Sequence, residues 1–355
     1  MRSLIDILDL SVAEIDGLIA TAEDIIADPG KYADRCRGKQ LAALFFEPST
    51  RTRLSFESAM LALGGQVLSV PGAALSSAAK GESIADTART VSCYADIIAM
   101  RHPQDGAALV AAQNASIPVI NAGDGGHCHP TQTLADLLTI HREKGGMSGL
   151  TVGVCGDLKY GRTVHSLIAA LSRYAGVRFV LISPDALRVP DYVIDGMRRR
   201  GISYEETASL EDALPGLDIL YMTRIQRERF FDPRLYEALK DSYILTAEKM
   251  KLARADMCVM HPLPRVNEIS VQVDADPRAC YFKQTFNGKM MRMALILKLL
   301  SDFSAPAPRE DLFHHLRCVN PRCVCQTEQE LRPAFFRAPG DREIYRCLYC
   351  EMQAR

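Results

Sequence analysis

The pattern of apolar and polar positions is clearest between residues 41 and 63. Residues 41–46 form an apolar run of strand length. Apolar residues then recur at the i, i+3, i+4 and i+7 positions of one helix face, namely Phe56, Ala59, Met60 and Leu63. Gly64 and Gly65 end this predicted helix. The polar segment 47–55 is therefore predicted to lie where a strand passes into a helix.

The same alternation of strand-like and helix-like segments continues along most of the chain. It predicts an α/β protein of two domains, each with a mostly parallel sheet flanked by helices. A small C-terminal β domain follows a Pro-rich linker. The predicted boundaries are 1–135 for the first domain, 136–286 for the second, 305–310 for the linker and 311–355 for the C-terminal domain.

Composition is that of a globular protein. The chain has 355 residues, of which 48% are hydrophobic and 24% charged, and its net charge is −1. This balance gives no argument for nucleic acid or an anionic membrane as partner. No apolar run is long enough to span a bilayer, and acidic residues interrupt the apolar N-terminus, unlike a signal peptide. We expect a cytoplasmic protein.

The segment between the first strand and helix predicts an anion site. The first turn of a helix presents unpaired N–H groups and the positive end of its dipole. Ser49, Thr50 and Thr52 add hydroxyl donors, and Arg51 adds a guanidinium fork that suits phosphate. The Gly-x-x-x-x-Gly-Lys pattern of a nucleotide-binding loop is missing. The predicted ligand is a small phosphate ester or acyl phosphate, and not ATP.

Other polar residues follow predicted strands. Arg101 ends the apolar strand 97–100, and His129 follows the strand 118–124. In open α/β sheets, ligands bind outside these carboxyl ends. His129 could act as a general base, a metal ligand or a hydrogen-bond donor. A metal site with His127 is disfavoured because two adjacent ligands lack further ligand motifs downstream.

The second domain carries two arginines that each follow a strand, Arg162 and Arg224. A dicarboxylic substrate needs two such cations, because bidentate pairing fixes both its charge and its orientation. The Gly-x-Gly-x-x-Gly spacing of a dinucleotide site is missing near residue 156, which argues against NAD.

The C-terminal segment has cysteines at metal-ligand spacing. Cys-x₄-Cys is followed by a distant Cys-x₂-Cys, formed by Cys318, Cys323, Cys347 and Cys350. This spacing predicts a tetrahedral structural zinc site, with Cys325 as a rival to Cys323. So small a segment needs metal binding for stability. Disulfides are the alternative, which a cytoplasmic compartment disfavours, and the basic patch expected of a nucleic-acid-binding ribbon is weak.

Several motifs together resemble one enzyme family. Phe-x-Pro-Ser-Thr-Arg-Thr-Arg spans residues 46–53, His-Pro-Thr-Gln-Thr begins at residue 129, and Gly-Asp-Leu-Lys-Tyr-Gly-Arg-Thr begins at residue 156. These motifs, in this order, resemble the aspartate and ornithine carbamoyltransferases. Pro262 in His-Pro-Leu-Pro replaces the cysteine of the ornithine enzymes, and their Ser-Met-Gly motif is missing. The resemblance is therefore to the aspartate branch.

The resemblance implies transfer of a carbamoyl group from carbamoyl phosphate to L-aspartate, early in pyrimidine synthesis, without a catalytic cofactor. It assigns the phosphate to Ser49, Thr50, Arg51 and Thr52. Thr52, Arg101 and His129 are the implied catalytic donors to the carbonyl oxygen. Gln132 and the backbone carbonyls of Pro262 and Leu263 contact the carbamoyl amino group. Aspartate is assigned to Arg162, Arg224 and Gln226, with Lys80 from the neighbouring subunit.

The resemblance also implies an assembly. The residues around Ser76 and Lys80 alone favour an ordinary surface loop. In the family, however, this loop reaches the active site of the next subunit, so the resemblance implies a homotrimer. The helix 287–304 is expected to complete the first domain. The C-terminal segment resembles the zinc domain of the regulatory chain of the aspartate carbamoyltransferases. The nucleotide-binding domain of that regulatory chain is missing here, so no CTP or ATP site is expected.

Some alternatives stay open at this stage. The linker lets the zinc domain contact a neighbouring chain, and a higher assembly through it is left open. The acceptor could be another amine such as ornithine. The chain could also be a trimeric scaffold without activity, although a scaffold has no need of intact motifs.

Overall fold

The computed structural model of the chain describes residues 2–72, 77–225, 234, 236, 237, 241–302, 311–328, 330–338 and 344–354. The chain divides into two compact units, Met1–Thr131 with Lys289–Arg355, and Gln132–Gly288. Each unit contains one parallel sheet, which confirms the predicted fold class. Among the helices of the described part, none is both long and apolar enough to cross a membrane.

The first unit is built on four strands: β1 (Gln40–Phe45), β2 (Gln66–Val70), β3 (Ile97–His102) and β4 (Val119–Asp124). Their order is β2-β1-β3-β4, and every neighbouring pair is parallel. Its helices include α1 (Val12–Ala27), α2 (Thr50–Ala62), α3 (Ile84–Val91) and α4 (Ala107–Asn114). Because β1 is central, it is buried on both faces, which explains its continuous apolar run.

The second unit has a five-stranded parallel sheet. Its strands are β5 (Thr151–Cys155), β6 (Arg178–Ile182), β7 (Ser203–Thr207), β8 (Ile219–Met222) and β9 (Cys258–Met260). Their order is β7-β6-β5-β8-β9, so β5 and β8 are neighbours. Its described helices include α6 (Arg162–Leu171), α7 (Asp191–Arg199), α8 (Leu210–Ala213) and α9 (Ala247–Met250), while α5 (Pro130–Lys144) leads into this unit from the first.

The last helix of the described residues, α10 (Tyr281–Ser301), is longer than the apolar pattern predicts. The sequence analysis expects this helix over 287–304, whereas it begins at Tyr281. Its first turns carry Gln284 and Asn287, two polar side chains that are almost fully buried and hydrogen-bonded. Because these inward-facing positions are polar, the helical period is hidden in the sequence.

The C-terminal segment carries a two-stranded antiparallel sheet, β10 (Phe335–Arg337) with β11 (Tyr345–Cys347). We call its described residues, 311–328, 330–338 and 344–354, the C-terminal module. The module does not have a separate core, because Phe335 and Tyr349 pack in the same apolar cluster as helices α3 and α4. The sequence analysis left open a contact of this module with a neighbouring chain. In the structure the module packs against α3 and α4 of its own chain. The predicted linker lies outside the described residues.

Candidate active site and metal site

The predicted phosphate loop lies at the start of α2, as the sequence suggests. Ser49 is the N-cap residue in extended conformation, and its hydroxyl makes no capping hydrogen bond. Thr50 and Arg51 are exposed and Thr52 is half-buried. The first-turn N–H groups have no partners within the helix. The loop therefore combines main-chain donors, hydroxyls and a guanidinium at one positive helix end.

Arg101 lies beside this loop because β1 and β3 are parallel neighbours. Phe45 is paired with Arg101, and the N–H of Phe46 donates to the Arg101 carbonyl at 2.8 Å. The guanidinium is mostly buried, and its Nη2 lies 3.2 Å from Oε2 of Glu47. This ion pair holds the Arg101 side chain at the carboxyl end of the sheet, next to the helix that begins at Thr50.

The turn that precedes His129 is held by the buried carboxylate of Asp124. It accepts hydrogen bonds from the N–H of Gly106 at 2.8 Å and of Cys128 at 3.1 Å, and it lies 3.1 Å from Nδ1 of His127. Burial opposes the charge, but His127 and these donors hold the pKa of Asp124 below its usual value. His129 itself is buried and directly precedes α5.

His127 and Cys128 are therefore used within this turn. The thiol of Cys128 donates to Oδ2 of Asp6 at 2.7 Å, and burial raises the pKa of this thiol well above its usual value. The imidazole of His127 is paired with Asp124. Both side chains stabilise the conformation of the turn. Among the described residues, the group that could hold a metal lies in the C-terminal module instead.

Asp105 joins the same turn to the C-terminal module. Its Oδ1 accepts from the N–H of Gly126 at 2.6 Å, and its Oδ2 accepts from Nδ2 of Asn320 at 2.6 Å. Gly125 has a φ of +47°, and a Cβ atom there would lie 1.8 Å from Oδ1 of Asp105. Glycine is therefore required at residue 125. The contact was not predicted, because nothing in the sequence indicates that Asp105 and Asn320 meet.

Arg292, which the sequence analysis missed, connects α2 to the first turn of α5. Its guanidinium is almost fully buried and donates to Oγ of Ser55 in α2 at 3.0 Å. It also lies 3.5 Å from Oγ1 of Thr131, two residues after His129. The guanidinium stacks over the ring of Phe56 at 5.1 Å. Arg292 thus fixes the phosphate-loop helix relative to the helix that follows His129.

In the second unit, Gln132 is oriented by a buried carboxylate. Its Nε2 donates to Oδ1 of Asp136 at 2.8 Å. The hydroxyl of Tyr221 donates to the other oxygen of Asp136 at 3.0 Å, and Gln284 donates to Oδ1 as well. Burial raises the pKa of Tyr221 well above its usual value, so the phenol remains a donor. The contact with Asp136 thus uses the NH₂ group of the Gln132 amide and not its oxygen.

The predicted loop 261–264 belongs to the same network. Oε1 of Gln284 accepts from the N–H of His261 at 3.0 Å, and Nδ1 of His261 accepts from the N–H of Leu263 at 2.7 Å. Burial lowers the pKa of His261, and its neutral ring donates through Nε2 to Glu268 at 2.8 Å. Leu263 has a left-handed φ of 55°, and the Leu263–Pro264 peptide is cis. Hydrogen bonds through Asp136, Gln284 and His261 thereby connect Gln132 to Leu263, which directly follows Pro262 in the chain.

Arg162 and Arg224 follow neighbouring strands, as predicted. Arg162 is the first residue of α6, and Arg224 follows β8 after one intervening residue, Thr223. The loops after β5 and β8 are joined by a hydrogen bond from the N–H of Asp157 to Oγ1 of Thr223 at 3.0 Å. Both arginines are half-buried. The parallel pairing therefore places two guanidinium groups at one edge of the sheet.

Two predicted site residues, Ser76 and Gln226, lie outside the described residues. Lys80 is described and exposed, at the end of a 3₁₀ turn formed by Ser77–Lys80. Exposure suits a side chain that acts outside its own chain.

The cysteines of the C-terminal module suit a tetrahedral zinc site. The sulfur atoms of Cys318, Cys323, Cys325 and Cys347 lie within 4.8 Å of one another. Sγ of Cys350 lies 3.6 Å from Sγ of Cys318, and Cys323 and Cys347 are 3.8 Å apart. A zinc ion with four bonds of ~2.3 Å requires edges of ~3.8 Å between the sulfurs. Four thiolates would hold the ion and give it a structural role.

Family models match nearly the whole chain. Residues 2–142 match the aspartate/ornithine carbamoyltransferase carbamoyl-P binding domain, and residues 148–299 match the Asp/Orn binding domain. Residues 311–355 match the metal binding domain of the aspartate carbamoyltransferase regulatory chain.

Individual proteins and structures are similar as well. The aspartate carbamoyltransferase catalytic subunit of Lachnoclostridium phytofermentans is 61% identical over 302 residues, which cover 85% of this chain and 98% of that protein. The catalytic subunit of M. jannaschii aspartate transcarbamoylase has a TM-score of 0.80 at 47% identity, covering 85% of this chain and 99% of that one. Aspartate transcarbamoylase from Trypanosoma cruzi, in complex with carbamoyl phosphate and aspartate, has a TM-score of 0.80 at 40% identity, covering 84% and 97%.

The geometry next to Arg101 predicts an acid-sensitive step in stability. Burial lowers the pKa of His102 to about 4, from 6.5, and its Nδ1 accepts from the N–H of Gln104. The unfolded chain therefore takes up a proton in this window that the folded chain does not, so unfolding becomes easier as the pH falls from 6.5 towards 4. Between about pH 7.5 and about pH 5, the unfolding free energy of wild type should fall by ~2 kcal/mol more than that of His102→Asn, which lacks the titrating ring.

Urea denaturation at the two pH values measures this difference. His315→Asn, at an exposed histidine of the C-terminal module, is the matched control and should lose as much as wild type. Equal losses in His102→Asn and wild type would contradict the role given to His102.

Proposed function

The chain belongs to the aspartate/ornithine carbamoyltransferase family, and we propose that it transfers the carbamoyl group of carbamoyl phosphate to L-aspartate. The products are N-carbamoyl-L-aspartate and phosphate, and the reaction is an early step of pyrimidine synthesis. The observation that carries the choice of acceptor is the pair Arg162 and Arg224 on neighbouring strand ends, since aspartate has two carboxylates to bind.

Phosphate is assigned to the loop at the start of α2. The first-turn N–H groups and the hydroxyls of Ser49, Thr50 and Thr52 provide hydrogen-bond donors, and the guanidinium of Arg51 provides a positive charge. Donors at a helix N-terminus act without reorganisation, because the helix already orients them. This loop would hold the phosphate as it becomes the leaving group.

The carbonyl oxygen is assigned to Thr52, Arg101 and His129. The amine of aspartate attacks the carbonyl carbon, and negative charge develops on that oxygen in the tetrahedral intermediate. Arg101, held by Glu47, brings a permanent positive charge to it. His129 needs to act as a hydrogen-bond donor there, and the surrounding turn holds it in place through Asp124.

The carbamoyl amino group is assigned to Gln132 and the carbonyls of Pro262 and Leu263. Acceptors are the right partners, because that NH₂ group carries only donors towards them. Asp136 takes the amide NH₂ of Gln132, so the Gln132 oxygen is turned towards other partners. The contact from Leu263 to His261 fixes the loop that presents the two carbonyls. Asp136, His261 and Gln284 act as positioning residues.

Aspartate is assigned to Arg162, Arg224 and Gln226, with Lys80 of the neighbouring subunit. Bidentate arginine contacts fix a carboxylate in one orientation. The roles of Gln226 and Ser76 rest on the family motif alone. Carbamoyl phosphate binding is assigned to residues 1–135 with the helix 287–304, and aspartate binding to residues 136–286; these boundaries stay predictions.

A homotrimer is the assembly we propose. Leu54 and Leu61 on α2 and Leu68 on the edge strand β2 are exposed apolar side chains of one region of the first unit. Exposed apolar side chains of this kind favour contact with a second copy of the chain. The exposed position of Lys80 suits a contribution to the next subunit's site. The zinc-binding thiols favour a reducing compartment, which supports the predicted cytoplasmic location.

An acceptor assay tests the proposed reaction. We expect carbamoyl phosphate and L-aspartate to give N-carbamoyl-L-aspartate, while L-ornithine gives less than about 1% of that rate, because Pro262 replaces the thiol of the ornithine enzymes and two arginines face the acceptor. Activity only with ornithine would identify another carbamoyltransferase. A folded protein inactive with both amines would support the scaffold alternative.

Loss of the Arg101 charge should slow the chemical step. We expect Arg101→Gln to lower kcat by ~10²-fold or more, the effect of losing an oxyanion donor. Arg198→Gln, at an exposed arginine of α7, is the control and should keep wild-type kcat. Steady-state kinetics with saturating substrates measures the effect, and circular dichroism checks folding. A folded Arg101→Gln enzyme with normal kcat would remove Arg101 from the catalytic groups.

Mixed oligomers should show that subunits share active sites. Arg51→Ala chains lack the phosphate contact and Lys80→Ala chains lack the contribution to their neighbour, so each should be inactive alone. After mixing in equal amounts, about a quarter of the sites in a cyclic assembly combine an intact Arg51 with an intact neighbouring Lys80. Activity should therefore recover to about a quarter of the wild-type value. Mixed trimers that are confirmed by native mass spectrometry but stay inactive would show that sites do not share these residues.

A further inference from the structure

The C-terminal module contains one more thiol than a zinc ion needs. The spacing predicts Cys318, Cys323, Cys347 and Cys350 as ligands. The structure adds Cys325, whose sulfur lies 3.3 Å from that of Cys323 and within 4.8 Å of those of Cys318 and Cys347. Tetrahedral zinc accepts four thiolates. One of the five thiols is therefore left over in any single arrangement.

Three of the five thiols, Cys318, Cys323 and Cys347, are common to both possible sets, and we call them the shared thiols. All three are almost fully buried. The sulfur of Cys325 lies within 4.8 Å of those of all three shared thiols. Cys350 is close to Cys318 at 3.6 Å, and Cys325 is close to Cys323 at 3.3 Å. Two complete four-sulfur sets are thus within reach of one ion.

We propose that Cys325 is a zinc ligand that exchanges with Cys350, so that the ion has two alternative ligand sets built on the shared thiols. In the exchange, one zinc–sulfur bond forms to Cys325 and one breaks to Cys350. The incoming thiol releases a proton and the outgoing thiolate takes one up, so charge and protons balance. The zinc remains four-coordinate before and after the step.

The main chain holds Cys325 in place for this role. It lies in the 3₁₀ turn Val324–Gln326, which directly follows Cys323. The N–H of Val324 donates to the carbonyl of Asp105 at 3.0 Å, and Nε2 of Gln326 donates to the carbonyl of Cys318 at 2.7 Å. Residues on both sides of Cys325 are therefore fixed, Val324 to Asp105 and Gln326 to Cys318. A thiol on an unconstrained surface loop would not be held at such a distance.

Metal binding by cysteine variants of the full chain tests the exchange. We expect Cys325→Ser and Cys350→Ser each to bind one cobalt(II) or zinc ion per chain, with the absorption spectrum of a four-sulfur cobalt site. The double variant retains three cysteines in the module, so its four-sulfur spectrum should be lost and its zinc affinity, measured against a chromophoric chelator, should fall by ~10²-fold or more. Cys93→Ser, at an exposed thiol outside the module, is the control and should behave like wild type.

Two results would overturn the proposal. If either single variant loses the four-sulfur spectrum, its cysteine is indispensable and the two thiols do not exchange. If the double variant retains the spectrum, neither thiol is a ligand.

Alkylation of the unmodified zinc-loaded protein gives a second test that does not depend on the folding of variants. Because one thiol of the five is free at any moment, iodoacetamide should label one per module. Peptide mass spectrometry should find the label distributed between Cys325 and Cys350. Label on Cys325 alone would show a fixed ligand set with Cys350, and label on Cys350 alone a fixed set with Cys325; both would contradict exchange.

Discussion

The parallel direction of the strands is the constraint on which both groups of proposed substrate-binding residues depend. In the first unit it places the ends of β1, β3 and β4 at one edge, so that the phosphate loop, Arg101 and the turn before His129 are neighbours although they are far apart in sequence. In the second unit it does the same for Arg162 and Arg224. Main-chain pairing thus fixes the positions from which the polar side chains act.

Buried carboxylates then fix the loops that leave this edge. Asp124 binds the turn before His129, Asp105 binds Gly126, and Asp136 binds Gln132. A buried carboxylate is costly unless several donors satisfy it, and each of these accepts at least two hydrogen bonds from the protein. Loss of one loop contact would therefore leave a charge without full compensation. This coupling explains how irregular segments keep a defined geometry.

Much of this arrangement is readable from the sequence, because its signals are local. The apolar run before Ser49 and the helical period after it predict a strand, a turn and a helix, and the turn chemistry predicts an anion. The zinc thiols are also predicted by spacing within short segments. The positioning residues were missed for the opposite reason: Arg292, Gln284 and Asp136 act through partners distant in sequence, and a buried polar residue on a helix looks like an interruption of its apolar face.

The common core of the C-terminal module and the first unit links metal supply to the stability of the catalytic part. A ligand that binds only the folded chain stabilises it by RT ln(1 + [L]/Kd), so the stabilisation depends on the concentration of free zinc. Phe335 and Tyr349 pack against α3 and α4, and Asp105 is hydrogen-bonded on both sides of the junction. Part of the zinc binding energy is therefore available to the unit that carries the phosphate loop. In a cell that is short of zinc, the abundance of this enzyme would fall through unfolding and proteolysis, without any change in its gene expression.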